Sequence, residues 1–149
     1  MSRQTQAIIH ADALLHNFKA LAAIAPSSQS MAVVKADAYG HGAVNVARIL
    51  QHVSSQFAVA IIEEAIALRD AGISAPVVVL EGAHQAKECQ MAFQHNCILV
   101  MHCEEQLQWL NNCPENQRPH IWLKVDSGMH PLRFAISDIE EITKKNRLL

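Results

Sequence analysis

Short apolar runs recur along the chain at a regular interval, and most are followed by a stretch with helical spacing. The runs are Ala7-Ile8-Ile9, Met31-Ala32-Val33-Val34, Phe57-Ala58-Val59-Ala60, Val77-Val78-Val79-Leu80, Cys97-Ile98-Leu99-Val100 and Ile121-Trp122-Leu123. Runs of this length, rich in β-branched residues and apolar on both faces, predict strands buried in a parallel sheet. Between them, Leu14, Leu15, Phe18 and Leu21 fall on one helix face, and Val46, Ile49, Leu50 and Val53 repeat that spacing. Glu63 to Ala71 consists of good helix formers, with Gly72 placed to end the helix. Gln85 to Phe93 and Glu104 to Leu110 predict two shorter helices. Ser137-Asp138-Ile139-Glu140 has the form of a capping box and predicts a last helix running on from it.

Strand and helix therefore alternate about six times, the pattern of a parallel sheet with helices outside it. No Pro/Gly-rich linker or low-complexity tract divides the 149 residues, so a single domain over 1–149 is expected. Two parallel architectures compete. A doubly wound nucleotide-binding fold wants a glycine-rich phosphate loop after an early strand, and neither G-x-G-x-x-G nor G-x-x-x-x-G-K-[ST] occurs. A (β/α)8 barrel needs eight strands, and the pattern offers about six. The chain is either a small α/β domain or an incomplete (β/α)8 TIM barrel of about six βα units.

Composition narrows the function classes. Half the residues are hydrophobic, 17% are charged, and the net charge is -2, which gives no electrostatic reason to expect nucleic acid or an anionic membrane as partner. The apolar runs are far shorter than the roughly 20 residues of a transmembrane helix. Met1-Ser2-Arg3-Gln4-Thr5-Gln6 has no hydrophobic segment of a secretory signal, so a cytoplasmic location is expected. Cys89, Cys97, Cys103 and Cys113 form no C-x-x-C pair and match no zinc spacing; free thiols and no metal site are expected. The nine histidines are scattered, His102-Cys103 included.

The stretch richest in chemistry is Ala32-Val33-Val34-Lys35-Ala36-Asp37-Ala38-Tyr39-Gly40-His41-Gly42. It joins an apolar strand to a glycine-flanked turn and puts Lys35 at the strand's C-terminal end, where parallel α/β enzymes hold their active sites. Apolar surroundings disfavour the charged form of an amine, and a neutral amine condenses with an aldehyde. Tyr39 could hydrogen-bond a phosphate, while Gly40 and Gly42 allow close backbone approach. Asp37 and His41 are read as shaping the loop.

This stretch resembles the pyridoxal phosphate (PLP) attachment signature of the alanine racemase family nearly residue for residue. Phe57 to Ala60 with Glu63-Glu64-Ala65 and Leu68-Arg69 resembles the family's next strand and helix. Ile73-Ser74-Ala75-Pro76 through Glu81-Gly82 resembles the one after, and Trp122-Leu123-Lys124-Val125-Asp126-Ser127-Gly128-Met129-His130 a further motif. The likeness runs from about residue 5 to about residue 140. It implies a PLP-binding barrel of fold type III, with Lys35 carrying the cofactor and serving as one of two acid-base groups. It implies that Tyr39 contacts the cofactor phosphate, and that Lys124 matches a lysine carbamylated in many members. Alanine is the implied substrate, D-alanine for peptidoglycan precursors the implied product, and a homodimer the implied assembly.

Two departures from the family pattern stand out. Where the family continues Gly-Met-His-Arg-Leu-Gly, this chain has Pro131 and Arg133 in place of the arginine and the glycine. Pro131 carries no charge, and Arg133 lies roughly 6–7 Å further along an extended backbone, so the arginine's role is not transferred to it. The sequence also ends near the sixth βα unit. The resemblance implies a truncated N-terminal barrel domain, without the C-terminal β domain whose tyrosine supplies the second base across the dimer interface. Little or no activity is expected of the chain by itself. A PLP-binding carrier of the same barrel type, or a non-catalytic remnant of a racemase gene, is the alternative.

Overall fold

A computed structural model describes residues 6–128 and 134–146. Its strands are β1 (Met31–Val33), β2 (Gln56–Val59), β3 (Val77–Val79), β4 (Cys97–Met101) and β5 (Ile121–Leu123). The helices are α1 (Ala11–Ala22), α2 (Lys35–Gly40), α3 (Ala43–Leu50), α4 (Ile62–Asp70), α5 (Ala86–Gln94), α6 (Glu104–Asn112) and α7 (Ile139–Asn146). All five strands are parallel and lie in the sheet in chain order, β1-β2-β3-β4-β5. That order separates the two candidate architectures. A doubly wound sheet reverses direction at a switch point, whereas a barrel adds each strand beside the last.

The two faces of the sheet confirm the barrel. Phe57, Val59, Val77, Val79, Leu99 and Met101 pack beneath the helices with Ile62, Ala65, Leu68, Cys89 and Leu107. The other face holds a separate small cluster, with Ala58, Val78 and Val100 at its centre and Met31, Leu80 and Ile98 packed against them. Helices cover one side only, so the chain forms a partial barrel wall. Each Val, Leu or Ile buried this way contributes about 1.5–3 kcal/mol. The inner face stays open, with Val33 49% and Trp122 42% exposed.

One expected strand does not form. Ala7-Ile8-Ile9 joins no ladder, and Ile8 is 67% exposed. Three apolar residues are too few to hold an extended segment without a neighbour for their backbone groups. Five strands are therefore present among the described residues where six runs predicted strands. After β5, Val125 bridges Phe134; Phe134 N–H donates to Lys124 O at 3.0 Å and Asp126 N–H to Phe134 O at 2.9 Å. Residues 129–133, including Pro131 and Arg133, lie outside the described residues. The anticipated capping box also differs. Ser137 Oγ donates to Asp138 at 2.7 Å in a short 3-10 turn over 136–138, and Glu140 pairs with Lys144.

A repeated device closes each βα junction. Glu64, Glu88 and Gln106 are the third residues of α4, α5 and α6, and each reaches back to the backbone as the strand exits. Glu64 accepts from Ala60 N–H at 2.7 Å, Glu88 from His84 N–H at 2.9 Å, and Gln106 from His102 N–H at 2.9 Å. These donors have no partner within the helix. At the opposite end of the sheet, Arg69 donates to the carbonyls of Ile73, Ala75, His95 and Asn96 at 2.7–2.8 Å, tying two loops together.

Candidate active site

Side chains alternate faces along a strand, so every second residue shares a side. Extending the inner face past each C-terminal strand end gives Lys35 after Met31 and Val33. By the same count it gives Ala60 after Ala58, Leu80 after Val78, His102 after Val100, and Lys124 after Trp122. These five residues, with Glu81 and Val100, line one cavity of about 240 Å³. Lys35 and Lys124, separated by 89 positions in sequence, thus meet at one end of the sheet. The floor between them is apolar, from Ala60, Leu80 and Val100. A larger cleft of about 570 Å³ lies between α1 and the free edge of β1. Its lining is mostly apolar and brings no amine, so the smaller cavity is the better candidate for chemistry.

The backbone around Lys35 is unusual. Ala36, Asp37, Ala38 and Tyr39 all have φ between 51° and 53°, which makes α2 a single left-handed turn. Side chains disfavour this conformation by about 1–2 kcal/mol per residue, so the turn holds on the order of 4–8 kcal/mol of strain. Several hydrogen bonds hold it. Ala38 N–H donates to Val34 O at 2.9 Å, Gly42 N–H to Asp37 O at 3.0 Å, and Ala36 N–H to Glu64 Oε1 at 2.6 Å. Asp37 Oδ1 accepts from Ala43 N–H at 2.7 Å, and His41 Nδ1 contacts Ala38 O at 2.9 Å. Asp37 and His41 shape the loop, as read from the sequence. Asp126 likewise holds its turn, accepting from Gly128 N–H at 2.8 Å.

Tyr39 does not line the cavity and is 72% exposed. His102 does line it, although by sequence it is only one of nine scattered histidines. Counting alternate residues from β4, through Ile98 and Val100, would have found it. Gln106 Nε2 donates to Glu81 O and Ala83 O, both at 3.0 Å, using both its hydrogens. The 3.0 Å contact of His102 Nε2 with Glu81 O is therefore assigned as Nε2–H donation. That leaves His102 Nδ1 a buried acceptor without a partner among the described residues. A buried lone pair of this kind costs free energy unless something donates to it. A flat aromatic cofactor fits the chemistry present: an amine for its aldehyde, an apolar floor for its ring, and a second lysine at the wall.

Residues 9–147 match the family profile described as alanine racemase, N-terminal domain. An alanine racemase of Alteromonas mediterranea is 96% identical over 149 residues, 100% of this chain and 42% of the relative. A catabolic alanine racemase of Pseudomonas aeruginosa is 41% identical over 145 residues, 97% of this chain and 40% of the relative. The crystal structure of a biosynthetic alanine racemase from Pseudomonas aeruginosa superposes with a TM-score of 0.85 at 38% identity, covering 91% of this chain and 38% of that one. The chain thus spans about two-fifths of the length of these relatives.

Proposed function

The chain belongs to the alanine racemase family through its N-terminal domain, and from that premise we propose that it carries the cofactor lysine of a PLP-dependent racemase interconverting L- and D-alanine. The observation that carries the proposal is the convergence of Lys35, Lys124 and His102 on one apolar-floored cavity at the strands' C-terminal ends.

In this reading Lys35 is the residue that would hold PLP covalently, and its Nζ would move a proton at one face of the substrate Cα. Bound PLP supplies the electron sink that makes that proton removable. The left-handed turn fixes where Nζ enters the cavity. Tyr39, exposed beside the turn, reaches for the cofactor phosphate. Lys124 is the carbamylation candidate: carboxylation of Nζ would turn its cation into an anion facing Lys35. The remaining barrel strands, a second domain with the opposing base, and a homodimeric assembly are proposed to lie outside these residues. A cavity of about 240 Å³, below the roughly 300–1,000 Å³ of ordinary small-molecule sites, supports that division. Cytoplasmic supply of D-alanine for peptidoglycan precursors is the role proposed with it; among the relatives one is named simply an alanine racemase and another a catabolic one. Among the described residues no helix is long and apolar enough to cross a membrane.

The test is covalent. The chain is incubated with PLP, reduced with borohydride and digested, and the peptides are weighed. Label is expected on Lys35 and lost in Lys35→Ala. Preferential label on another lysine would overturn the assignment.

A further inference from the structure

We infer that Glu64 is a positioning residue for Lys35, fastening the left-handed turn to the exit of β2; the inference rests on reading Lys35 as the cofactor lysine. Glu64 Oε1 accepts from Ala36 N–H at 2.6 Å. Its Oε2 accepts from Ala60 N–H at 2.7 Å and from Ile61 N–H at 3.4 Å. Ala36 directly follows Lys35, and Ala60 lines the cavity. One carboxylate therefore grips two neighbouring strand exits, and one of them bears the reactive amine.

The residue types at the equivalent positions support this. Gln106 also bridges two strand exits, but it meets an N–H at His102 and carbonyls at Glu81 and Ala83. An amide, with one acceptor and one donor end, suits that site. Both ends of the Glu64 bridge are N–H donors, so only an acceptor at both oxygens satisfies them. Glu88 meets one N–H, that of His84, which an amide oxygen could serve equally. Of the three, Glu64 alone needs both carboxylate oxygens as acceptors across two strands. The strained turn makes this grip consequential, because four residues at positive φ relax once their anchor is lost.

Amide hydrogen exchange on the chain reads the grip without any cofactor. In the wild type, Ala36 N–H should be protected to a degree comparable with Ala60 N–H. Glu64→Gln, isosteric but presenting an amide hydrogen to one N–H, should speed exchange at whichever of Ala36 and Ala60 meets that hydrogen, roughly tenfold. It should also slow trapping of PLP on Lys35 by borohydride. Glu88→Gln, the same charge loss at an equivalent helix position, should change neither. If Glu64→Gln does not fold, Glu64→Asp is read the same way, since it keeps the charge but is one methylene short of spanning both strands. An unprotected Ala36 N–H in the wild type would overturn the inference. So would unchanged exchange in the variant, or an equal effect from Glu88→Gln. Failure of wild-type PLP trapping would instead remove the cofactor reading, while the exchange result still decides what Glu64 holds.

Discussion

Lys35 and Cys89 show how surroundings rather than residue type decide what a side chain can do. Lys35 was legible as a candidate because it closes an apolar run before glycines, and the cavity includes it. The left-handed conformation of Ala36 to Tyr39 was not legible, because of the four residues only Asp37 is of a type that favours positive φ. It depends on Glu64, 28 positions away. Cys89 is wholly buried; burial first, then Cys113 and Glu88, push its thiol up from 9.0 to about 12. The folded chain keeps a proton that the unfolded chain releases above its ordinary value. The associated stability is therefore intact below about pH 9 and is lost as pH climbs toward about 12. The slope is about 1.4 kcal/mol per pH unit for the one proton. Cys89→Ala should have a flatter loss of urea-midpoint stability between about pH 8 and about 10.5 than the wild type. Equal slopes would mean that this thiol is not shielded. Cys97 is also raised by burial, with Arg69 opposing, so the variant should flatten the slope without abolishing it.

At the scale of elements, apolar runs located β1 to β5, and hydrophobic spacing together with helix-forming composition located α1, α3, α4, α5 and α6, within a few residues. It failed where a run had no neighbour, at Ala7-Ile8-Ile9, because apolar sequence gives no strand without a ladder to join. It also gave no sign of the carboxylate and amide at the third position of α4, α5 and α6, since their partners are backbone groups. Glycines separate by what surrounds them. Gly82 has φ +69, and a Cβ there would lie 2.2 Å from Val100 O and 2.7 Å from Gln106 Nε2. Gly72, which follows α4, has φ +85 but open space around it. Gly72→Ala should cost only the left-handed strain, roughly 1–2 kcal/mol. Gly82→Ala must also push β4 and Gln106 away, and should cost roughly 3 kcal/mol or more. Urea denaturation of the two variants decides this. Equal losses would show that the junction between β3 and β4 is loose enough to absorb a methyl group.

At the scale of the whole molecule, the proposed function, if it holds, finds only one half of a racemisation in this arrangement. Inversion at Cα needs a proton taken from one face and returned to the other. The ionisable groups lining the cavity, Lys35, Glu81, His102 and Lys124, all sit at the C-terminal end of one open sheet, on a single arc of wall. No described residue faces that arc from the opposite side. Losing one positioned acid-base group costs typically 10²–10⁴-fold in rate. The sheet adds a second difficulty. Among the described residues β1 pairs only with β2 and β5 only with β4, with an isolated bridge between Val125 and Phe134 beyond β5. Unpaired edges of this kind invite association between chains. The chain by itself is therefore expected to bind PLP at Lys35 yet convert alanine far more slowly than a full-length racemase, and to associate as its concentration rises. The decisive assay follows D-alanine formed from L-alanine by the purified chain with added PLP, with light scattering recorded in parallel. Turnover comparable to that of a full-length racemase would mean that a residue within the chain reaches the opposite face. Tyr39 is the first to substitute in that case. It is the chain's single tyrosine, 72% exposed on the turn that follows Lys35. A Tyr39→Phe variant that then lost activity while still trapping PLP on Lys35 would identify it as the second base.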